Sequence, residues 1–360
     1  MDNDAILNQI EQLNKEGKYE QIIETIAAVP EDKVSNKLWF KKIDAFNKLG
    51  HFKEARKEIG LLSKRCSEPE DDAMLFYLMG YTFEHSGHEH KAVECYSRTK
   101  EFNPEFENIQ GLIDNCKAAV KKELENTKET FAKLFSEIDS AIKDAKEQKD
   151  LEYPEALIYA SLISSSFIPS GLGMELPVDN PFFKCEDKEL NEKIKFYLDK
   201  KYGVTDLKSL QQWFGNNRLA PTIQGVRNAV AKNIPMPVEK MSAKDISYFE
   251  SIMLSLNSLE EFLPEAGVAA WDYNEVIALA RLSYATGLIS NSEFCETTLF
   301  FIDECTRNFS SWSEFAHSVM IGGYFNCLFE TQYDIKNATM FGTVSSRFCK
   351  RFYPQVKWIK

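Results

Sequence analysis

The sequence predicts an all-α chain: an N-terminal helix-turn-helix solenoid, a long connecting helix and a C-terminal helical bundle. Three observations carry this expectation. Apolar residues recur three and four positions apart in nearly every segment, while the alternation expected of strands is nearly absent. Glycines at 17, 50 and 87 each close one amphipathic stretch and open another. In the C-terminal half, Ser242/Asp245, Ser290/Glu293 and Ser311/Glu314 have the spacing of helix-starting capping boxes.

The bulk composition sets the outer bounds. With 360 residues, 44% hydrophobic and 27% charged, the chain can bury a sizeable core in more than one domain. The net charge is −12, and both residues 1–150 (−7) and 151–360 (−5) are acidic. Broad phosphate contact is therefore disfavoured, and no nucleic-acid partner is expected. A basic cluster near the end (Arg347, Lys350, Arg351, Lys357, Lys360) fits a solvated terminus. The opening MDNDAILNQIEQL lacks the basic and apolar regions of a secretory signal, and no apolar run is long enough to span a bilayer. The eight cysteines are widely spaced without a CxxC pair, which fits reduced thiols in a cytoplasmic protein.

The first hundred residues repeat. The pieces LNKEGKYEQIIETI, FNKLGHFKEARKEI and FEHSGHEHKAVECY align on their glycines, at spacings of 33 and 37. In the third unit Phe76, Met79, Gly80, Phe83, Gly87, Ala92, Tyr96 and Pro104 follow a large–small–large–turn–small–aromatic–proline order. Small residues let two helices approach, aromatics fill the gaps between units, and glycine accepts a left-handed turn. The second unit matches through Trp39, Phe46, Gly50, Phe52 and Ala55, and the first more loosely through Leu13, Gly17, Tyr19, Ile22 and Ile26. The pattern resembles tetratricopeptide repeats, and three stacked units are expected over 1–104.

That resemblance implies a concave groove lined by each unit's first helix, binding an extended or helical peptide. Asn8, Glu11, Lys37, Lys41, Asp44, Asn47, Tyr77, Tyr81 and His85 occupy the positions that should face it. The family's clamp for C-terminal carboxylates needs basic residues where this chain has Met74 and Leu78, so a chaperone-tail ligand is disfavoured. Tyr77 and Tyr81 suit either an apolar or aromatic ligand segment or packing within the chain. His85, His88 and His90 at the third turn read as a solvated cluster, and no metal site is expected.

Residues 105–150 read as a connector. Phe131, Phe135, Ile138, Ile142 and Ala145 form a narrow apolar seam on a charged helix, suited to capping the repeat array. A coiled-coil dimer is the alternative, and the seam is short for it. The boundary to the next domain is placed at KDLEYPE, around Pro154.

Within 151–360 a short helix is expected at 156–167, then a loop (IPSGLGMELPVDNPFF) whose large apolar residues should partly pack down. SGLG lacks the flanking residues of a phosphate loop. Further helices follow: one ended by Gly203, one capped at Thr205 or Asp206 with Trp213 buried, one at 220–232, and one from Ser242 to Leu263. Trp271–Asp272 begins a helix that Gly287 ends, and the last two capping boxes start the next two.

The stretch WDYNEVIALARLSYATGLISNSEF, followed by FSSWSEFAHSVMIGGYF, resembles a bacterial domain of unknown function found in YbeU/YbeR-type proteins. Trp271, Asp272, Arg281, Gly287, Ile289, Ser290, Glu293, Ser311, Trp312, Phe315 and Gly322 carry the likeness. Where that domain has Arg or Lys after the last glycine, this chain has Tyr324 and Phe325. The resemblance implies fold and lineage and brings no activity with it. Trp271, Asp272, Arg281, Glu293 and Trp312 are the candidate pocket residues. A buried Arg281 requires a partner, with Glu293, Asp303 or Asp272 as candidates. The set is either an ion pair fixing helix register or a ligand anchor.

No catalytic motif appears, and no catalytic residue or cofactor is indicated. The expected function is a non-enzymatic interaction or scaffold role through the N-terminal groove, with a protein or peptide partner. The alternative is a small-ligand sensor or an enzyme of unrecognised type with its site near Trp271, Asp272 and Arg281.

Overall fold

The structure is a computed structural model, and it describes residues 3–65, 69–145, 157–167, 172, 176–177, 180–232, 243–330 and 334–358. Among these, every regular element is helical. The chain divides into two compact units, Met1–Glu123 with Pro237–Ser251, and Leu124–Met236 with Ile252–Lys360.

In the first unit, helices come as pairs: α1 (Asn3–Lys15) with α2 (Tyr19–Ala27), α3 (Asn36–Lys48) with α4 (Phe52–Leu62), and α5 (Pro69–His85) with α6 (Glu89–Phe102). Each pair turns on a glycine in the left-handed region: Gly17 at φ 69°, Gly50 at 73°, Gly87 at 79°. The same hydrogen bonds close all three turns. Lys18, His51 and His88 donate N–H back to the carbonyls of Leu13, Phe46 and Phe83, and each glycine N–H bonds one turn inside. This is a Schellman stop repeated three times, and a side chain at the glycine would strain it.

The first helices of successive pairs, α1, α3 and α5, lie against one another. Ile6, Ile10, Ile22, Ile26, Leu38, Ile43, Ala55, Ile59, Leu62, Leu75 and Leu78 fuse into one continuous core. No pair could bury its apolar stripe alone, so stacking is what excludes water. Gly80 shows why a small residue is needed: an added Cβ would sit 2.6 Å from the Tyr96 ring. Tyr96 is fully buried and donates its hydroxyl hydrogen to Glu84 at 2.7 Å. The array ends against α7 (Ile109–Lys143), whose Ile109, Ile113 and Cys116 join Ala92, Val93 and Tyr96.

The second unit contains the later part of α7, then α8 (Ile158–Ile163), α9 (Lys188–Tyr197), α10 (Leu207–Asn216) and α11 (Leu219–Ala231). The end of α12 (Ala243–Leu259) follows, with α13 (Ala269–Ala285), α14 (Asn291–Asn308), α15 (Trp312–Glu330) and α16 (Ile335–Phe352). Helix α13 is the axis of this unit, touching α8, α9, α10, α11, α14 and α15. Every residue from Ala270 to Ala285 except Glu275 is buried. Gly322 and Gly323 let α15 approach it: a Cβ on Gly323 would lie 2.9 Å from the Trp271 ring, and one on Gly322 would collide with the Trp271 Cβ.

Phe131, Phe135 and Ile138 of the α7 seam are buried inside this unit. Phe131 packs edge-on to Tyr324 with centroids 5.8 Å apart, Phe135 lies against Phe262 and His317, and Lys350 donates to Glu137 at 2.6 Å. Asp206 caps α10 in a reciprocal box with Ser209, and Ser290 does so for α14 with Glu293. The third expected box closes one residue early: Ser311 Oγ accepts from Glu314 N–H, but Glu314 accepts from Ser310 N–H. Trp213 is half-buried, with its ring against Tyr202, instead of lying in the core. The Ser242/Asp245 box and the Pro154 boundary lie outside the described residues.

Candidate functional site

The stripe of first helices in the N-terminal unit presents most of the expected groove residues. Asn8, Glu11, Lys37 and His85 are exposed, and Lys41, Asp44, Tyr77 and Tyr81 are half-buried. Asn47 is the exception. It is 3% exposed, donates to the Leu78 carbonyl at 3.3 Å and accepts from the Thr82 hydroxyl at 2.8 Å. It pins α3 to α5 and does not face outward.

The most distinctive surface is where α3 meets α5. Tyr81 stacks on His85 with centroids 3.8 Å apart, and Lys48 Nζ lies 4.9 Å from the Tyr81 centroid. Tyr77 leans on Tyr96 and Phe106. Partial burial raises the Asp44 carboxyl above its ordinary range, an effect opposed by Lys48 and Lys41. Both lysines act on it as nearby charges, and among the described residues neither closes an ion pair with it. A half-buried acceptor near part-exposed phenol rings can take an N–H donor and an apolar or aromatic side chain together.

The C-terminal candidates scatter to four environments. Trp312 is 1% exposed, stacks on Tyr353 at 4.4 Å and donates its indole N–H to the Val356 carbonyl at 2.9 Å. Trp271 is 3% exposed and packs edge-on against Phe341. Both are buried among aromatic side chains of the core, and neither lines the clefts formed by the described residues. Glu293 stays at the start of its own helix. Its carboxylate accepts from the Ser290 N–H, which holds it below the usual range.

Asp272 is buried and accepts from the N–H groups of Leu219 at 2.8 Å and Ala220 at 3.0 Å. It thereby satisfies the first orphan donors of α11 from another helix. Burial lifts its carboxyl to about 6, against the pull of those two N–H groups and of Arg218.

None of the three carboxylates expected to pair with Arg281 does so. Arg281 is fully buried, and its described acceptors are neutral: Ser164 Oγ at 2.9 Å, Asn180 O at 3.3 Å and Pro177 O. The ring of Phe183 covers it at 5.7 Å. Burial pulls the guanidinium down to about 10. Asp303, the third candidate partner, pairs with Arg307.

An open cleft of about 270 Å³ does exist beside Asp272, between the start of α11 and the approach to α13. Arg218, Gln224, Glu265 and Tyr273 line it with Asp272. One turn along α13, burial and the Asp272 charge lift the Glu275 carboxyl to about 7, with Tyr202 and Lys201 opposing. Sequence reasoning missed Glu275 and Tyr202. The available signal was Glu275 itself, a second acid in a helix otherwise apolar all round. Among the described residues, no group of three or more His, Cys, Asp or Glu side chains is placed to hold a metal.

Residues 197–342 match the family model described as protein of unknown function (DUF1266). Asp272, Glu275, Arg281 and the cleft all fall in that span, so the C-terminal part of the chain is similar to a domain of unknown function. No curated protein and no solved structure matches the chain. No helix of the described residues is long and apolar enough to cross a membrane.

Proposed function

We propose that the protein is a non-enzymatic interaction module whose N-terminal pairs act as tetratricopeptide-like repeats and hold a partner peptide along α1, α3 and α5. The observation that carries this is the surface where α3 meets α5: Asp44 is half-buried near Tyr77 and closes no ion pair among the described residues, and the Tyr81–His85 stack is left partly open. Core residues do not leave such groups unspent, whereas a docking face does. The partner is an extended or helical segment with an apolar or aromatic side chain and a donor for Asp44. The C-terminal domain, of the lineage seen in bacterial YbeU/YbeR-type proteins, packs as a scaffold. Free thiols at Cys95, Cys116, Cys305 and Cys349, all buried, favour a reducing cytoplasmic setting.

The test is selection of peptides from a displayed library on the full chain, followed by fluorescence anisotropy. Tyr77→Ala with Tyr81→Ala, and separately Asp44→Asn, should each weaken a selected peptide by about tenfold or more. Selected peptides that bind these variants as tightly as the natural chain would sink the proposal. The cleft at Arg218, Glu265 and Asp272 supports a second reading, a small-ligand sensor in the C-terminal domain, because it places a buried carboxylate against open space.

A further inference from the structure

We propose that the cleft between the start of α11 and the approach to α13 binds a small amino carboxylate, a zwitterion whose ammonium sits at Asp272 and Glu265 and whose carboxylate sits at Arg218. This deepens, and rests on, the reading of that cleft as a small-ligand site. The case begins with size and charge. The cleft is open, holds about 270 Å³ and is lined by described residues throughout. Small-molecule sites run upward from roughly 300 Å³, so this one suits a ligand of amino-acid size and is small for a nucleotide. Its walls carry both signs of charge: Arg218 from the residue before α11, Glu265 from the turn before α13, and Asp272 from α13 itself.

These charges do not neutralise one another. Arg218 lies over the Phe214 ring at 5.4 Å, and among the described residues none of its N–H groups meets an acceptor. Its charge reaches Asp272, yet the two close no ion pair. Glu265 is exposed and has no ion pair among the described residues. Arg227, which lies against Gly267 in the same turn, pairs with Glu260 instead at 2.7 Å. Asp272 accepts one N–H on each carboxylate oxygen, from Leu219 and Ala220, and so retains an acceptor position on each. A carboxylate so buried, with backbone donors and no cation in contact, is short of positive charge. A simple anion in the cleft would meet two carboxylates, and a simple cation would leave the Arg218 fork unmet. A neutral ligand would displace water from three charged groups and return nothing of opposite sign. A ligand carrying both charges answers all three: its ammonium donates to the two acids, and its carboxylate takes the guanidinium fork. Ala266, Ala269 and the Tyr273 ring offer apolar contact to a small side chain or to a short methylene spacer between the charges.

The experiment uses the full chain, with thermal unfolding and isothermal titration calorimetry as readouts. One panel holds amino carboxylates of increasing charge separation: the common α-amino acids, β-alanine and γ-aminobutyrate. A second holds compounds with one charge or none: ethylamine, propionate and propionamide. The expected result is saturable one-to-one binding of at least one amino carboxylate, about tenfold or more tighter than either singly charged compound. The separation that binds tightest identifies the ligand class. Arg218→Gln and Glu265→Gln, both at exposed positions, should each weaken that compound by about tenfold or more, while the melting temperature without ligand stays near that of the natural chain. The inference is overturned if no amino carboxylate binds the natural chain saturably. It is overturned too if the one that binds does so unchanged in both variants, which places it elsewhere on the chain. If ethylamine, propionate or propionamide binds as tightly as any amino carboxylate and loses affinity in the variants, the zwitterion is refuted and the small-ligand reading of the cleft stands. If no compound of either panel binds, that reading falls with it.

Discussion

Replacing Gly322 by alanine tests the packing of α13 on α15 directly. In a solvent-facing helix, Gly→Ala stabilises by about 1 kcal/mol through helix propensity. At Gly322 the new methyl would collide with the Trp271 Cβ and approach Val268 Cβ at 3.3 Å. A Cβ is fixed to its backbone and cannot rotate aside, so the helices themselves must part. Overpacking of this kind costs about 1–3 kcal/mol, and the rigid partner argues for the upper end. Net of propensity, destabilisation of about 2 kcal/mol is expected, or roughly 4–8 °C in melting temperature for a unit of this size. Gly225 in α11 is the internal control, since an added Cβ there meets nothing within 4 Å. Gly225→Ala should raise the melting temperature slightly. Near-UV circular dichroism during heating follows the tertiary packing of the tryptophans and is the suitable assay. If Gly322→Ala melts at or above the natural chain, the close approach at Trp271 is wrong and the account of the paired glycines fails with it.

The Asp272 carboxyl, held at about 6 against an ordinary 3.8, predicts a pH slope of definite sign. Between about pH 4 and pH 6 the folded chain binds more protons than the unfolded one, so stability falls as pH rises through this window and then levels. The ceiling is about 3 kcal/mol, and Asp272→Asn should flatten the slope in urea titrations taken at pH 4 to 7. Asn47→Ala removes a buried amide from Leu78 and Thr82 and should cost about 1–3 kcal/mol in the same assay. Trp312→Phe loses the bond to Val356 O and part of the Tyr353 stack, for about 2–4 kcal/mol, while leaving peptide binding by the N-terminal unit unchanged.

Local features were legible in the sequence because their causes are local. Gly17, Gly50 and Gly87 announce left-handed stops within five residues of the carbonyls they satisfy, and Ser290/Glu293 announces a box three residues wide. The stacking of three pairs was legible because one period governs them all. What could not be read was any partnership set by the tertiary fold. Asp272 meets Leu219 across 53 positions and Arg281 meets Pro177 across 104. Sequence logic matched charge to charge, whereas the structure gives both residues backbone partners: N–H groups for the acid, carbonyls for the base. Asn47 looked like a groove residue because it shares a helix with Asp44, and three positions of rotation turn it inward.

The polar residues of α13 have a common consequence. A helix buried on every side has no polar face to fix its rotation, and its apolar residues alone would tolerate sliding or turning. Asp272 fits only the start of α11, Asn274 only the Ser166 hydroxyl of α8, Glu275 the Tyr202 hydroxyl beyond α9, and Arg281 the carbonyls of Pro177 and Asn180. These four contacts point to different neighbours around the axis. Turning α13 by one residue would strand all four polar groups in apolar surroundings at once, each at a cost of about 1–3 kcal/mol or more. Rotation and height are therefore set together by groups that contribute little net stability when correctly placed and cost heavily when not. The match is incomplete at two atoms among the described residues, the Asn274 Nδ2 amide and the Arg281 Nε, so the fixing of α13 rests on its carboxylates and on the Arg281 Nη groups.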